Sequence, residues 1–165
     1  MNSLTPAKKG LITGSLMIII SIIIFRLRGS FENNLQYITY LVYLLGIIWT
    51  IKDYKPETAD KLKFKNYFGQ GFKFFIVVTL LMVIFTFIFV KLTPQIKAEM
   101  AVNYQADLQK RGNLTPAEIS KAVEQAKNFF LPMILSVTIF GYLLIGTLIS
   151  ILVSLFFSRR QAVSQ

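Results

Sequence analysis

The chain contains neither cysteine nor histidine among its 165 residues, and these two absences exclude several classes of function. Without cysteine there is no disulfide and no thiolate nucleophile, and without either residue there is no Cys/His metal site. Without histidine there is no imidazole to act as a general base. We therefore expect the protein to carry no metal and no cofactor.

Acidic residues are scarce, with eight Asp and Glu against 18 Lys and Arg. All eight fall outside the long apolar segments: Glu32, Asp53, Glu57, Asp60, Glu99, Asp107, Glu118 and Glu124. Carriers usually place ionisable residues inside the membrane. Catalytic carboxylate pairs need an environment that tunes their pKa values to the reaction. Here the closely spaced acids lie among lysines, as on ordinary solvated helices. The pattern disfavours an enzyme.

Apolar residues make up 54% of the chain, with a mean hydropathy of +0.56. They cluster in four runs without charge: Leu11–Phe25, Leu35–Ile51, Phe74–Val90 and Phe129–Phe157. Such runs bracket the ~20 residues that cross a bilayer, and a crossing segment must be a helix or part of a closed barrel. Barrel strands would alternate apolar and polar residues, which these runs do not. The sequence therefore predicts an all-α, integral membrane four-helix bundle.

The predicted spans cover residues 10–27, 35–51, 73–92 and 129–157 of a single domain, 1–165. The first run is the shortest, and we expect flanking lysines and arginines to extend it by snorkelling. A cleaved signal peptide is the alternative for this run, but no small-x-small site follows it, so we expect it to be retained.

Positive charges predict the orientation, because Lys and Arg in short loops favour the cytoplasmic side. Ten of the 18 lie in the N-terminal segment, the loop 52–73 and the C-terminal tail. The other eight lie in the loop 26–34 and along the longer segment 91–128, which counts for less. We therefore expect both termini to be cytoplasmic and 91–128 to be external.

Residues 93–128 between spans three and four predict an external helical hairpin. Thr115, Pro116 and Glu118 form a capping box with proline at the first helical position, and Thr93-Pro94 repeats the cap and proline. Two apolar stripes follow: Ile96, Met100, Tyr104 and Leu108, then Ile119, Ala122, Val123, Ala126 and Phe130. Pro132 should interrupt helical hydrogen bonding near Asn128 and kink the chain.

The hairpin has two interpretations. It is either a surface for a partner, with Met100, Tyr104, Ile119 and Val123 as the candidate residues, or a lid that covers its own apolar stripe.

The loop before span three combines lysines with an aromatic stripe at helical spacing. Phe64, Phe68 and Phe72 recur every four residues and share one helical face. The lysines near them are Lys61, Lys63, Lys65 and Lys73. Lysines beside such a stripe favour a position in the headgroup layer, where each cation near anionic lipid contributes about 1 kcal/mol. We expect these seven residues to contact lipid rather than nucleic acid.

Small residues recur every four positions in the first and last spans: Gly10 and Gly14, then Gly146, Ser150 and Ser154. Such spacing allows close helix approach in membranes. Packing within the bundle and a homodimer face both remain open as interpretations.

Several motifs together resemble a bacterial family of small four-span proteins catalogued as domain of unknown function 4199. They are Phe64-x-x-x-Phe68-x-x-Gly71-Phe72, Thr93-Pro94, Thr115-Pro116-Ala117-Glu118-Ile119, Phe130-x-Pro132 and a glycine- and serine-bearing last span. The resemblance covers nearly the whole chain. It implies a multi-pass protein of the bacterial inner membrane and assigns no activity and no functional residues.

Two functions fit these observations better than an enzyme. The first is a non-catalytic accessory or interaction protein of the cell envelope, whose partners are the lipid bilayer and another membrane protein or a second copy. The second is a small transporter or channel subunit for a neutral or lipid-like solute.

Overall fold

The computed structural model describes residues 4–28, 36–54 and 63–163, which form five α-helices and no strand. The helices are α1 (Pro6–Arg28), α2 (Gln36–Lys52), α3 (Phe64–Leu92), α4 (Pro94–Arg111) and α5 (Pro116–Val163). The prediction of an all-α protein is confirmed.

In the described part of the chain, three helices are long and apolar enough to cross a membrane, where the sequence predicted four. They contain the segments Pro6–Leu27, Phe64–Leu92 and Pro116–Arg159. The exception is α2, whose 17 residues rise about 25 Å, less than the ~30 Å hydrocarbon core. The first run, which was expected to be the shortest, instead lies within a helix of 23 residues because its lysine-bearing flank is also helical.

The helices divide into two compact units. The bundle unit comprises Met1–Met82 and Ile139–Gln165, and the hairpin unit comprises Val83–Thr138. Both α3 and α5 contribute to each unit.

The interior of the bundle unit is apolar and aromatic. Its fully buried side chains include Met17, Tyr43, Ile47, Phe74 and Val78. The outer faces are also apolar, because large side chains such as Leu16 on α1, Leu41 on α2 and Leu144 on α5 are exposed. A helical unit that is apolar inside and outside is typical of a membrane protein, since a soluble bundle would turn a charged face to water.

The hairpin unit has its own small core. Ala101 and Leu108 from α4 pack with Ile119 and Val123 from α5. The turn begins at Gly112, which follows the end of α4 at Arg111 and takes the left-handed conformation at φ 64°. Glycine adopts this conformation without the steric strain that a Cβ atom brings.

The predicted start of α5 at Pro116 is confirmed, together with its capping box. Glu118 Oε2 accepts hydrogen bonds from the Thr115 backbone N–H at 2.7 Å and from the Thr115 hydroxyl at 2.8 Å. Thr93 also occupies the cap position of α4, but its side chain makes no capping hydrogen bond. The helix α5 continues through Pro132 for 48 residues, so the expected interruption does not end the helix.

Candidate functional surfaces and helix contacts

The small residues predicted for helix packing lie in contacts within the bundle unit. A Cβ atom added to Gly10 would stand 2.9 Å from the Phe74 carbonyl oxygen, and one added to Gly14 would stand 2.7 Å from Leu81 Cδ1. These two glycines therefore bring α1 against α3. The contact at Gly10 is with backbone and leaves no room for a methyl group, whereas a methyl group at Gly14 would require the end of the Leu81 side chain to move.

The small residues of α5 face α2 and α3. A Cβ atom at Gly146 would collide with the Tyr43 hydroxyl and lie 2.8 Å from Phe75 Cβ. One turn later, Ser150 packs on Gly71, whose added Cβ would lie 2.6 Å from the Ser150 Oγ atom. Ser150 and Ser154 are completely buried. These small residues lie in contacts within one chain, which favours packing within the bundle, while the homodimer stays a prediction.

Several hydroxyl groups lie in the interior of the bundle unit. The Tyr43 hydroxyl donates a hydrogen bond to the Tyr142 carbonyl at 3.0 Å, and Thr79 Oγ1 donates to the Phe75 carbonyl at 2.8 Å. Within the described part of the chain, the hydroxyl oxygens of Ser150 and Ser154 have no hydrogen-bond partner. The bundle unit thus holds two polar groups that its other helices do not satisfy.

A buried lysine joins α1 to the end of α2, a contact that was not predicted from the sequence. Lys9 is 3% exposed, and its Nζ atom lies 2.7 Å from Asp53 Oδ2. The same ammonium group stands 4.9 Å from the centre of the Trp49 ring. A carboxylate and an aromatic face both stabilise a cation that has left water. The topology prediction already put Lys9 and Asp53 on one side of the membrane, which could have indicated the pair.

The aromatic stripe at the start of α3 forms a continuous ladder. Ring centroids are 5.7 Å apart for Phe64 and Phe68 and 6.3 Å apart for Phe68 and Phe72. Phe72 then meets the buried Phe75 edge to face at 5.2 Å. The ladder therefore leads from the surface of the bundle unit into its core.

The lysines beside this ladder are on the surface. Lys63, Lys65 and Lys73 are exposed, and Lys61 lies outside the described residues. Phe64 is 36% exposed and Phe72 47% exposed, so rings and ammonium groups share one surface. This surface has the composition of a segment at the lipid headgroups, although lipid contact itself stays a prediction.

The four residues predicted as a partner surface separate into two groups. Ile119 and Val123 belong to the core of the hairpin unit, whereas Tyr104 is exposed and Met100 half-buried. Between α4 and α5 lies a cleft of about 610 Å³. Its polar lining comes from Gln105, Gln109, Ser120, Glu124 and Lys127. The hairpin thus covers most of its own apolar stripe and leaves a mixed polar cleft beside it.

Groups that could hold a metal ion are not clustered in this structure. No set of three Asp or Glu side chains comes together among residues 4–28, 36–54 and 63–163. The five carboxylates in these ranges, at Asp53, Glu99, Asp107, Glu118 and Glu124, are all exposed.

Comparison with known proteins gives a family and no relative with a described activity. No curated protein matches the chain, and no solved structure matches it. The model of the family described as "Protein of unknown function (DUF4199)" matches residues 8–159. This match covers all five helices except their outermost ends, including the glycine contacts and the capping box. The chain therefore belongs to the DUF4199 family.

Proposed function

We propose that the protein is a non-catalytic accessory or interaction protein of the bacterial inner membrane. In this proposal α2 is a fourth span, both termini are cytoplasmic, and residues 91–128 are on the outer side. The orientation follows from the positive charges in the short loops. We infer the fourth span from the exposed apolar side chains along α2, such as Ile38, Leu41 and Leu45, because exposing them together to water is unfavourable.

The close packing of the bundle interior is the observation that carries the proposal. An added Cβ atom at Gly10, Gly14, Gly46, Gly71 or Gly146 would lie within 3.0 Å of an atom of another helix, so the helices approach closely at all five positions. A unit filled in this way suits a scaffold better than a channel, because conduction needs a continuous path through the protein.

The hairpin is the part we expect to meet a partner. Val102 is 66% exposed and Tyr104 37% exposed on α4, outside the small core of the hairpin unit. Exposed apolar side chains on a segment outside the lipid favour contact with another protein.

Affinity capture of the full-length protein, with its lipids retained, tests the proposal. We expect the wild-type protein to recover a defined envelope protein, and Val102→Lys to lose it. Gln125→Lys is the matched control, because Gln125 is an exposed polar residue on α5, so the same charge is added away from Val102. Recovery of a solitary monomer from wild type, or equal recovery from both variants, would contradict the proposal.

The second candidate is a transporter for a neutral or lipid-like solute, which the buried hydroxyls of Ser150 and Ser154 favour. Buried hydroxyls without partners are unusual and often mark functional positions. Reconstituted vesicles distinguish the two candidates. An accessory protein leaves the uptake of neutral solutes and the exchange of lipids between leaflets at the rate of empty vesicles, whereas a transporter accelerates one of them and loses this effect in Ser150→Ala/Ser154→Ala.

A further inference from the structure

Gly69 in α3 differs from the glycines that pack the bundle. An added Cβ atom at Gly69 would have no atom within 4 Å, whereas the same atom at Gly71 would press on Ser150. Glycine in an open helical position lowers helix stability relative to alanine. No contact among the described residues requires a glycine at this position, so a requirement for glycine would come from a group outside the chain.

The neighbours of Gly69 distinguish it from Gly141, another helical glycine with open space around it. Lys65 and Lys73 lie four residues before and after Gly69, so the three residues form one line along the helix surface. Both lysines are exposed. Gly141 instead lies between Val137 and Ile145 in the same pattern. Of these two open helical glycines, Gly69 is the one that lies between two cations.

Helix geometry places lysine charges beside the part of the α3 surface that Gly69 leaves uncovered. A helical side chain leans towards the N-terminus of its helix and covers the preceding turn. Gly69 therefore lies on the turn towards which Lys73 is directed, where 4 Å around the missing Cβ position is open, and Lys65 adds a second cation from the turn before. Since Gly69 has no side chain, an anion can approach the helix surface between two ammonium groups.

The aromatic ladder borders this indentation. Phe68 and Phe72 each precede a member of the line, and their ring centroids are 6.3 Å apart. Phe72 is 47% exposed. Aromatic rings at a membrane–water interface favour the glycerol and first acyl carbons of a lipid, while the lysines favour a phosphate. One phospholipid can meet both requirements.

We propose that Gly69, flanked by Lys65 and Lys73, binds the phosphate of an anionic phospholipid, with Phe68 and Phe72 against the lipid's glycerol end. The site is independent of the accessory role, since it requires only that α3 enters the bilayer at this end. It differs from general attraction to a charged surface because it depends on the space at Gly69.

Native mass spectrometry of the full-length protein in mild detergent tests the site, with phosphatidylglycerol as the anionic lipid and phosphatidylcholine for comparison. We expect the first phosphatidylglycerol to bind more tightly than phosphatidylcholine. Gly69→Leu should weaken that first binding by about fivefold or more, the value of one lysine near anionic lipid. Gly141→Leu is the matched control and should leave it unchanged.

The lysine variants complete the test. Lys65→Gln/Lys73→Gln should weaken the same binding, and adding Gly69→Leu to it should cause little further loss, because all three changes remove one site. Wild-type affinity in Gly69→Leu, with a loss in the lysine variant, would show attraction by charge alone and overturn the proposal. Competition by soluble glycerol 3-phosphate at equal concentration would overturn the lipid as the source of the phosphate.

Discussion

At the scale of single residues, the glycines show what the sequence could and could not predict. The four-residue spacing of Gly10 and Gly14, and of Gly146 with Ser150, predicted close contacts, and the structure has them. Gly46 and Thr50 are also four residues apart, but they were not predicted as packing positions because the residues around them in the sequence are large. Spacing also does not identify the partner helix, since that depends on how the chain folds back.

Opposite effects on stability are expected for two glycines of α5. Gly146→Ala places a methyl group against Tyr43 and Phe75, and such overpacking costs about 1–3 kcal/mol. Gly141→Ala meets no neighbouring atom and should stabilise the protein by up to about 1 kcal/mol through helix propensity. Unfolding titrations in mixed micelles measure both values. Equal losses in the two variants would show that the Gly146 contact is not specific.

The buried lysine gives a second prediction at this scale. Asp53→Asn leaves Lys9 without its carboxylate and should destabilise the protein by about 1–2 kcal/mol, less than for a fully buried pair because Asp53 is half exposed. The emission of Trp49, the single tryptophan, should change as well, since Lys9 lies 4.9 Å from its ring centre.

Two comparisons test the cause of that effect. Asp107→Asn breaks an exposed pair of the same 2.7 Å length with Arg111 and should cost at most about 0.5 kcal/mol. Lys9→Met in the Asp53→Asn background should restore part of the loss, because it removes the unpaired charge. If Asp53→Asn and Asp107→Asn cost the same, burial of Lys9 plays no part.

At the scale of helices, local signals were reliable and periodicity was less so. The predicted stripe of α4 takes every fourth residue, but a helix turns once per 3.6 residues, so this stripe drifts around the helix. The buried pair Ala101 and Leu108 is seven residues apart, which keeps both on one face. Tyr104 is exposed for this reason. Capping residues act within one turn and have no such ambiguity.

The start of α5 should depend on pH through Glu118. Hydrogen bonds from the Thr115 backbone and hydroxyl lower the pKa of Glu118 below its ordinary 4.5. Its contribution to the helix start is therefore complete above pH 4.5 and is lost as the pH falls through the lowered pKa. Glu118→Gln should remove this dependence.

Hydrogen exchange of the amides after Thr115 measures the effect, when protection is referred to the intrinsic rate at each pH. Glu124→Gln is the control, because Glu124 is an exposed carboxylate on the same helix. It should keep the acid-dependent loss of protection. A loss that persists unchanged in Glu118→Gln would exclude the capping box as its origin.

At the scale of the whole molecule, hydropathy predicted the class of protein and overestimated the number of long spans. The apolar runs of α1 and α3 became helices of spanning length because charged and polar flanks continued the helical hydrogen bonding, whereas the run Phe129–Phe157 of α5 is long enough by itself. In α2 the helix covers little more than the apolar run itself. Hydropathy measures which residues avoid water, and it does not determine where helical hydrogen bonding stops. No sequence pattern indicated a reaction.

The central claim is that α2 crosses the membrane. Because the chain contains no cysteine, the labelling of single introduced cysteines by an impermeant maleimide tests this claim directly. Asn33→Cys and Gln125→Cys should be labelled in intact cells, and Thr58→Cys and Ser164→Cys only after permeabilisation. Labelling of Asn33→Cys and Thr58→Cys from the same side of the membrane would contradict the four-span account.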